Sequence, residues 1–115
     1  VAHVAVENNE AFGTNGIPSS CSRTIVTDLL RDSLGFEGVI FTDAMNMMAA
    51  VNAGESGPLA ALKAGCDVIL MPPNEQALLA GALKLKKADE AFTNQLEASI
   101  KRVLRLKLCL GLSAE

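Results

Sequence analysis

Short apolar runs alternate along the chain with longer stretches in which apolar residues recur at helical spacing. The short runs are too short for helices and are rich in β-branched residues, so they predict buried strands; they occupy residues 3–6, 38–42 and 67–71. The longer stretches predict helices at residues 25–34, 59–64, 75–86 and 94–110. Gly35 and Gly65 follow the first two of these helices, where glycine commonly ends a helix, and Pro58 precedes the second. The predicted order is β-α-β-α-β-α-α.

This order predicts an α/β fold with parallel strands. Strands that are apolar on both faces are typical of a parallel sheet covered by helices, and the βαβ units are expected to be right-handed. Three strands cannot close a barrel that takes eight, so either the remainder of a barrel is missing or the three strands form an open sheet. Because open strand edges pair with other chains, we expect association with the remainder of the barrel or with another copy. The chain begins at Val1, directly at a predicted strand, and we expect it to be a piece of a longer protein.

Composition changes this picture mainly by exclusion. Half of the 115 residues are apolar, and 10 Lys and Arg stand against 13 Asp and Glu with no long block of either sign. Disorder, nucleic-acid binding and membrane attachment are therefore not predicted. The chain has no Trp or Tyr, so aromatic platforms for a sugar would have to come from elsewhere. The three cysteines lack the spacing of a zinc site or a disulfide framework, and we expect no metal.

Asp43 is the most informative polar position. It ends a predicted buried strand and so places a carboxylate at the C-terminal edge of a parallel sheet, where ligands bind in α/β folds. The alternative is that Asp43 only caps the next helix or ends the strand.

The residues around Asp43 favour a catalytic role. The segment 35–47, Gly-Phe-Glu-Gly-Val-Ile-Phe-Thr-Asp-Ala-Met-Asn-Met, resembles the nucleophile segment of glycoside hydrolase family 3, in which Gly-Phe-x-Gly leads an apolar strand into Ser/Thr-Asp and then Met. Five further segments are similar to that family, at residues 2–4, 18–31, 60–71, 99–104 and 107–112. The resemblance thus covers nearly the whole chain, 1–115, as the C-terminal segment of the family's catalytic barrel domain, and implies the last three β/α units of a TIM-type (β/α)8 barrel.

The resemblance implies a retaining glycosidase in which Asp43 forms a covalent glycosyl-enzyme, with a carbohydrate substrate and no cofactor. Ala44 stands where the β-glucosidase branch commonly has Trp, and Ala-Met-Asn-Met is similar to the β-N-acetylhexosaminidase branch, which removes terminal N-acetylglucosamine-type residues. That branch takes its general acid/base from an Asp-His loop whose motif is absent from this sequence. We therefore expect the 115-residue chain alone to be inactive. The bacterial cytoplasm and periplasm both remain open as its location.

Three further residues are candidates for substrate binding. His3, the only histidine, lies near the end of its predicted strand, while Met45 and Met47 follow Asp43 closely; each has an alternative role in structural packing. Asp67 lies at the N-terminal end of its predicted strand and is expected to be structural. The alternatives to the hexosaminidase are a β-glucosidase of the same family and a non-catalytic open α/β module. A flavodoxin-like binding domain is disfavoured because no glycine-rich phosphate loop follows a strand.

Overall fold

The described part of the chain, residues 1–47 and 56–112 of a computed structural model, is mainly helical. A short 3-10 helix and a π-helix come first, and three α-helices follow, which we name α1, α2 and α3. Their bounds are Ser19–Cys21 for the 3-10 helix, Thr24–Ser33 for the π-helix, Gly57–Ala64 for α1, Glu75–Ala88 for α2 and Glu90–Cys109 for α3. The four predicted helices are confirmed, with α3 beginning earlier than its apolar pattern indicates. Within these residues, no helix is both long and apolar enough to cross a membrane.

Local sequence signals explain where the α-helices begin and end. Gly65 follows α1 with a φ of 114°, in the left-handed region that favours glycine. A Cβ atom at Gly65 would also lie 2.6 Å from the hydroxyl of Thr27, so space and conformation both require glycine there. The side chains of Asn74 and Asp89 accept hydrogen bonds from backbone N–H groups in the first turns of α2 and α3. These caps fix where α2 and α3 begin.

The prediction of parallel strands is wrong. The described residues contain no β-strand, and the β pairing found there is a single isolated parallel bridge between Phe41 and Val68. The ladder stops because the N–H of Leu70 donates to the side-chain hydroxyl of Thr42, 3.0 Å away, where a continuing ladder would use a backbone carbonyl. The predicted fold class, three β/α units of a TIM-type barrel, is corrected accordingly, and the same finding removes the open parallel sheet.

The first predicted strand, residues 3–6, forms hydrogen bonds with the loop that follows it. Val6 and Thr14 exchange two hydrogen bonds, one backbone and one through the Thr14 hydroxyl. The carbonyl oxygen of Val4 accepts from both the N–H and the hydroxyl of Ser19. These partners satisfy backbone groups that a sheet would otherwise use.

A small core lies where the extended segments meet the helices. Its members are mostly short side chains, which lets the segments approach closely; they are Val26, Ile40, Met45, Ala61, Ala64 and Cys66. Burial raises the pKa of the Cys66 thiol to about 12, so this cysteine is a neutral core residue.

Asp67 joins three parts of the molecule through one buried carboxylate. Its Oδ2 accepts from Arg31 of the π-helix at 2.9 Å and from the N–H of Ile40 at 2.8 Å. Its Oδ1 accepts from Arg102 of α3, through Nη2 at 2.8 Å and Nε at 3.0 Å, and from the hydroxyl of Ser99. The Asp67 side chain is completely buried, while the two arginines are about one-fifth exposed. The structural role expected for Asp67 agrees with these contacts.

The pKa of Asp67 reflects two opposed effects. Burial acts to raise the pKa, but hydrogen bonds from Arg102, Ser99 and the Ile40 N–H outweigh it and hold the pKa below its usual value. The carboxylate therefore contributes stability above the unfolded pKa of about 3.9, and this contribution is lost as pH falls through the lower folded pKa.

Replacing Asp67 by Asn is expected to lower the free energy of unfolding by about 3 kcal/mol, because two arginines lose a buried partner. Urea unfolding at pH 7 measures this loss. Asp32→Asn, at an exposed aspartate on the π-helix that carries Arg31, is the matched control and should change stability by less than about 0.5 kcal/mol. The difference in the free energy of unfolding between the Asp67→Asn variant and the parent should become smaller as the pH falls below 4. Equal unfolding midpoints for the two variants at pH 7 would contradict the role of Asp67.

Candidate functional site

Asp43 is an exposed residue on a well-held backbone. The preceding residue, Thr42, is 2% exposed, and its N–H donates to the carbonyl of Val68 at 3.0 Å. The N–H of Asp43 donates to the carbonyl of Val1 at 2.9 Å, and its Oδ1 accepts from the N–H of Ala44 at 2.8 Å. A carboxylate on a fixed backbone at the surface is suited to act on a ligand from solvent.

The structure places His3 beside Asp43. The ring Nε2 lies 2.9 Å from the carbonyl oxygen of Ala44, the residue after Asp43, and Nδ1 lies 2.6 Å from the hydroxyl of Ser20. A carbonyl oxygen only accepts, so Nε2 carries a proton in this geometry. In the neutral ring Nδ1 then accepts from the Ser20 hydroxyl. The imidazole thus bridges a buried serine and the backbone next to Asp43.

Met45 and Met47 lie in different surroundings. The side chain of Met45 is fully buried in the core, and its N–H donates to the carbonyl of Leu70. Met47 is 46% exposed, and its N–H donates to the carbonyl of Ala44. The structure therefore brings Asp43, His3 and the backbone of both methionines together, but it sends the Met45 side chain inward. Substrate contact by His3, Met45 and Met47 stays a prediction.

Ser20 is the site residue that the sequence did not reveal. A run of hydroxyl residues before a helix favours an N-cap, yet the π-helix has Arg23 at this position and no side-chain cap. The Ser20 side chain is completely buried and bonds His3, 17 residues away in sequence. A buried hydroxyl needs a partner, and a lone histidine in a nearby apolar segment was the available signal.

One cavity between the helices has a lining that does not include Asp43. A cavity of about 440 Å³ opens between the π-helix, α1 and α3, with Arg23, Arg31, Lys63 and Arg102 in its lining. None of the predicted site residues lines it. Among the described residues, no three His, Cys, Asp or Glu side chains come together in a way that could hold a metal ion.

Comparison with known proteins decides the family. The glycosyl hydrolase family 3 N-terminal domain matches residues 1–106. The chain belongs to this family. The β-hexosaminidase of Chromobacterium violaceum is 44% identical over 68 residues, covering 55% of this chain and 19% of the relative. The β-hexosaminidase of Idiomarina loihiensis is 40% identical over 91 residues, which cover 77% of this chain and 26% of the relative. The crystal structure of a β-N-acetylhexosaminidase from Beutenbergia cavernae superposes with a TM-score of 0.70 at 33% identity, covering 79% of this chain and 28% of that one.

The family match takes in every residue of the candidate site. The matched range extends from Val1 past Asp43 to the last turns of α3, so it also includes both arginine partners of Asp67. The chain spans only about a fifth to a quarter of the length of these curated relatives.

The bonding of His3 predicts a single ring tautomer. In the 115-residue chain, where His3 is the only histidine, 15N NMR at a pH that keeps the ring neutral should show protonated Nε2 and unprotonated Nδ1. Ser20→Ala should shift the signals toward a mixture of tautomers, because the ring is no longer held with Nε2 facing the Ala44 carbonyl. A ring that is protonated at Nδ1 in the unsubstituted chain would contradict the bridge.

Proposed function

We propose that the protein carrying this chain is a glycosidase that hydrolyses O-glycosyl bonds, with Asp43 as its catalytic nucleophile. Family membership supports the activity, and the exposed carboxylate of Asp43 on a hydrogen-bonded backbone supports its role. Asp67, also a carboxylate in this part of the chain, is completely buried and fully engaged by Arg31 and Arg102, so it is unsuited to attack a substrate.

The proposed mechanism retains the configuration of the sugar. A carboxylate oxygen of Asp43 attacks the anomeric carbon while a general acid protonates the departing oxygen, and a covalent glycosyl-enzyme forms. The general acid, now deprotonated, acts as a base and removes a proton from water. The water oxygen attacks the anomeric carbon, and the carboxylate of Asp43 is released. The Ala44 N–H at 2.8 Å from Oδ1 orients the carboxylate for this attack. We place the general acid/base outside these 115 residues.

We propose a terminal N-acetylhexosamine joined by a β-linkage as the substrate. Two similar proteins are named β-hexosaminidases, and a similar solved structure is a β-N-acetylhexosaminidase. Ala44 directly after the nucleophile supports the same choice over a β-glucosidase. Since the chain has no Trp or Tyr, aromatic stacking on the sugar would have to come from the rest of the protein.

Exposed apolar faces support a partner within the same protein. Leu79 and Leu83 of α2 are 60% and 50% exposed, and Leu104 and Leu108 of α3 are 53% and 66% exposed. Leucines spaced four residues apart lie on one side of each helix, and soluble proteins rarely leave such rows uncovered. We propose that the remainder of the catalytic domain covers them; a second copy of the chain is the alternative.

Asp43→Asn in the full-length protein is expected to reduce turnover of an aryl N-acetyl-β-glucosaminide at least about 1000-fold, because the covalent step loses its nucleophile. The unfolding midpoint should stay unchanged, since Asp43 is exposed. In Asp43→Ala, added azide should enter the vacated space and yield the α-glycosyl azide, identified by NMR. Asp32→Asn serves as the control and should keep full activity.

Turnover of Asp43→Ala within a few-fold of the parent would reject Asp43 as nucleophile. The 115-residue chain alone should show no turnover above the buffer blank, because departure of the leaving group needs a proton donor. Clear Asp43-dependent turnover by this chain would place the acid/base within it.

A further inference from the structure

We propose that His3 is a positioning residue that fixes the backbone carrying Asp43, and that Ser20 holds the His3 ring in the orientation that directs Nε2 at the Ala44 carbonyl. This inference rests on the proposed role of Asp43 as nucleophile. It replaces sugar binding as the main function of the histidine.

Both ring nitrogens of His3 are already engaged by the protein. Nε2 donates to the Ala44 carbonyl, 41 residues away in sequence, and Nδ1 accepts from the Ser20 hydroxyl. A sugar hydroxyl could bond the ring only by displacing one of these partners. Displacing Ser20 would leave its completely buried hydroxyl with only the longer contact to the Cys21 thiol at 3.8 Å, which is costly. Because both of its ring nitrogens are occupied, His3 is better suited to position the backbone than to contact the substrate.

Ser20 anchors the histidine to the interior. Its side chain is completely buried, its N–H donates to the carbonyl of Ala2, and its carbonyl accepts from the thiol of the buried Cys66. With Ser20 held in this way, its hydroxyl fixes the orientation of the imidazole, while the Ala44 carbonyl, which can only accept, requires the ring proton on Nε2. Nε2–H is then directed at Ala44.

The hydrogen bond from His3 to the Ala44 carbonyl restricts, through the backbone, the orientation of the Asp43 carboxylate. His3 holds the oxygen of the peptide between Ala44 and Met45, and the N–H of that peptide is held by the carbonyl of Leu70. The preceding peptide donates its N–H to Asp43 Oδ1. With the second peptide fixed at both ends, rotation at Ala44 is restricted, and the N–H that orients the carboxylate stays in place. A displacement of about 1 Å at a reacting group can cost about 100-fold in rate.

Two substitutions at His3 in the full-length protein separate positioning from other roles. His3→Phe keeps the size of the ring and loses both hydrogen bonds, so kcat should fall about 100-fold. His3→Gln restores an amide N–H at the position of Nε2 and should recover most of this loss. A residue needed only for its volume would give the opposite order, with Phe more active than Gln.

Binding of N-acetylglucosamine in an Asp43→Asn background tests for direct sugar contact. If His3 only positions the backbone, adding His3→Phe should change the Kd for N-acetylglucosamine by no more than about 2-fold, as measured by calorimetry. A Kd that is 10-fold or more weaker in the His3→Phe variant would assign the ring to the sugar and overturn the inference. Full kcat in His3→Phe would overturn it as well.

If the His3→Phe variant does not fold, Ser20→Ala provides a second test. It removes a single hydroxyl and should lower kcat about 10-fold with KM unchanged; a normal kcat would overturn the role of Ser20. Failure of the proposed function has a different signature, because Asp43→Asn would then remain active whatever stands at position 3.

Discussion

The buried carboxylate of Asp67 is the constraint on which the rest of the structure depends. It ties the π-helix and α3 to one extended segment, through Arg31, Arg102 and the N–H of Ile40. Ile40 lies three residues before Asp43, so the same contact that joins the helices also fixes the start of the segment that carries the proposed nucleophile. His3 holds the other end of that segment at Ala44. The site is thus supported from both sides.

Two aspartates of this chain are given different roles by their surroundings. Asp67 has no exposed side-chain surface, and its charge is matched by two arginines, so it stabilises the fold and stays ionised. Asp43 is exposed, and its hydrogen bonds orient the carboxylate without burying it. The chain belongs to a family of glycosyl hydrolases, and only the second environment suits attack on a sugar.

Local signals were sufficient for the helices and for the family. Gly65 and Pro58 mark the bounds of α1, and the Gly-Phe-x-Gly segment before Asp43 indicated the hydrolase family that the comparison shows. The strands could not be predicted correctly, because whether an apolar run forms a ladder depends on which partner each N–H finds. At Leu70 that partner is the hydroxyl of Thr42.

The site was only partly accessible from the sequence. Asp43 and His3 were singled out, but the bridge between His3 and Ser20 joins residues 17 positions apart and depends on tertiary packing. The Ser20 hydroxyl has the sequence context of a helix cap, so nothing local separates the two roles. Met45 follows Asp43 closely, yet its side chain is directed into the core, which spacing alone does not reveal.

Trapping the covalent glycosyl-enzyme would identify the nucleophile of this protein. The full-length protein is treated with a mechanism-based fluorosugar, digested, and mapped by mass spectrometry. We expect one added sugar per protein, on the peptide that contains Thr42-Asp43-Ala44, with fragmentation assigning it to Asp43. A sugar attached to any other carboxylate would rule out Asp43 as the nucleophile, and so would turnover of the reagent with no labelled peptide.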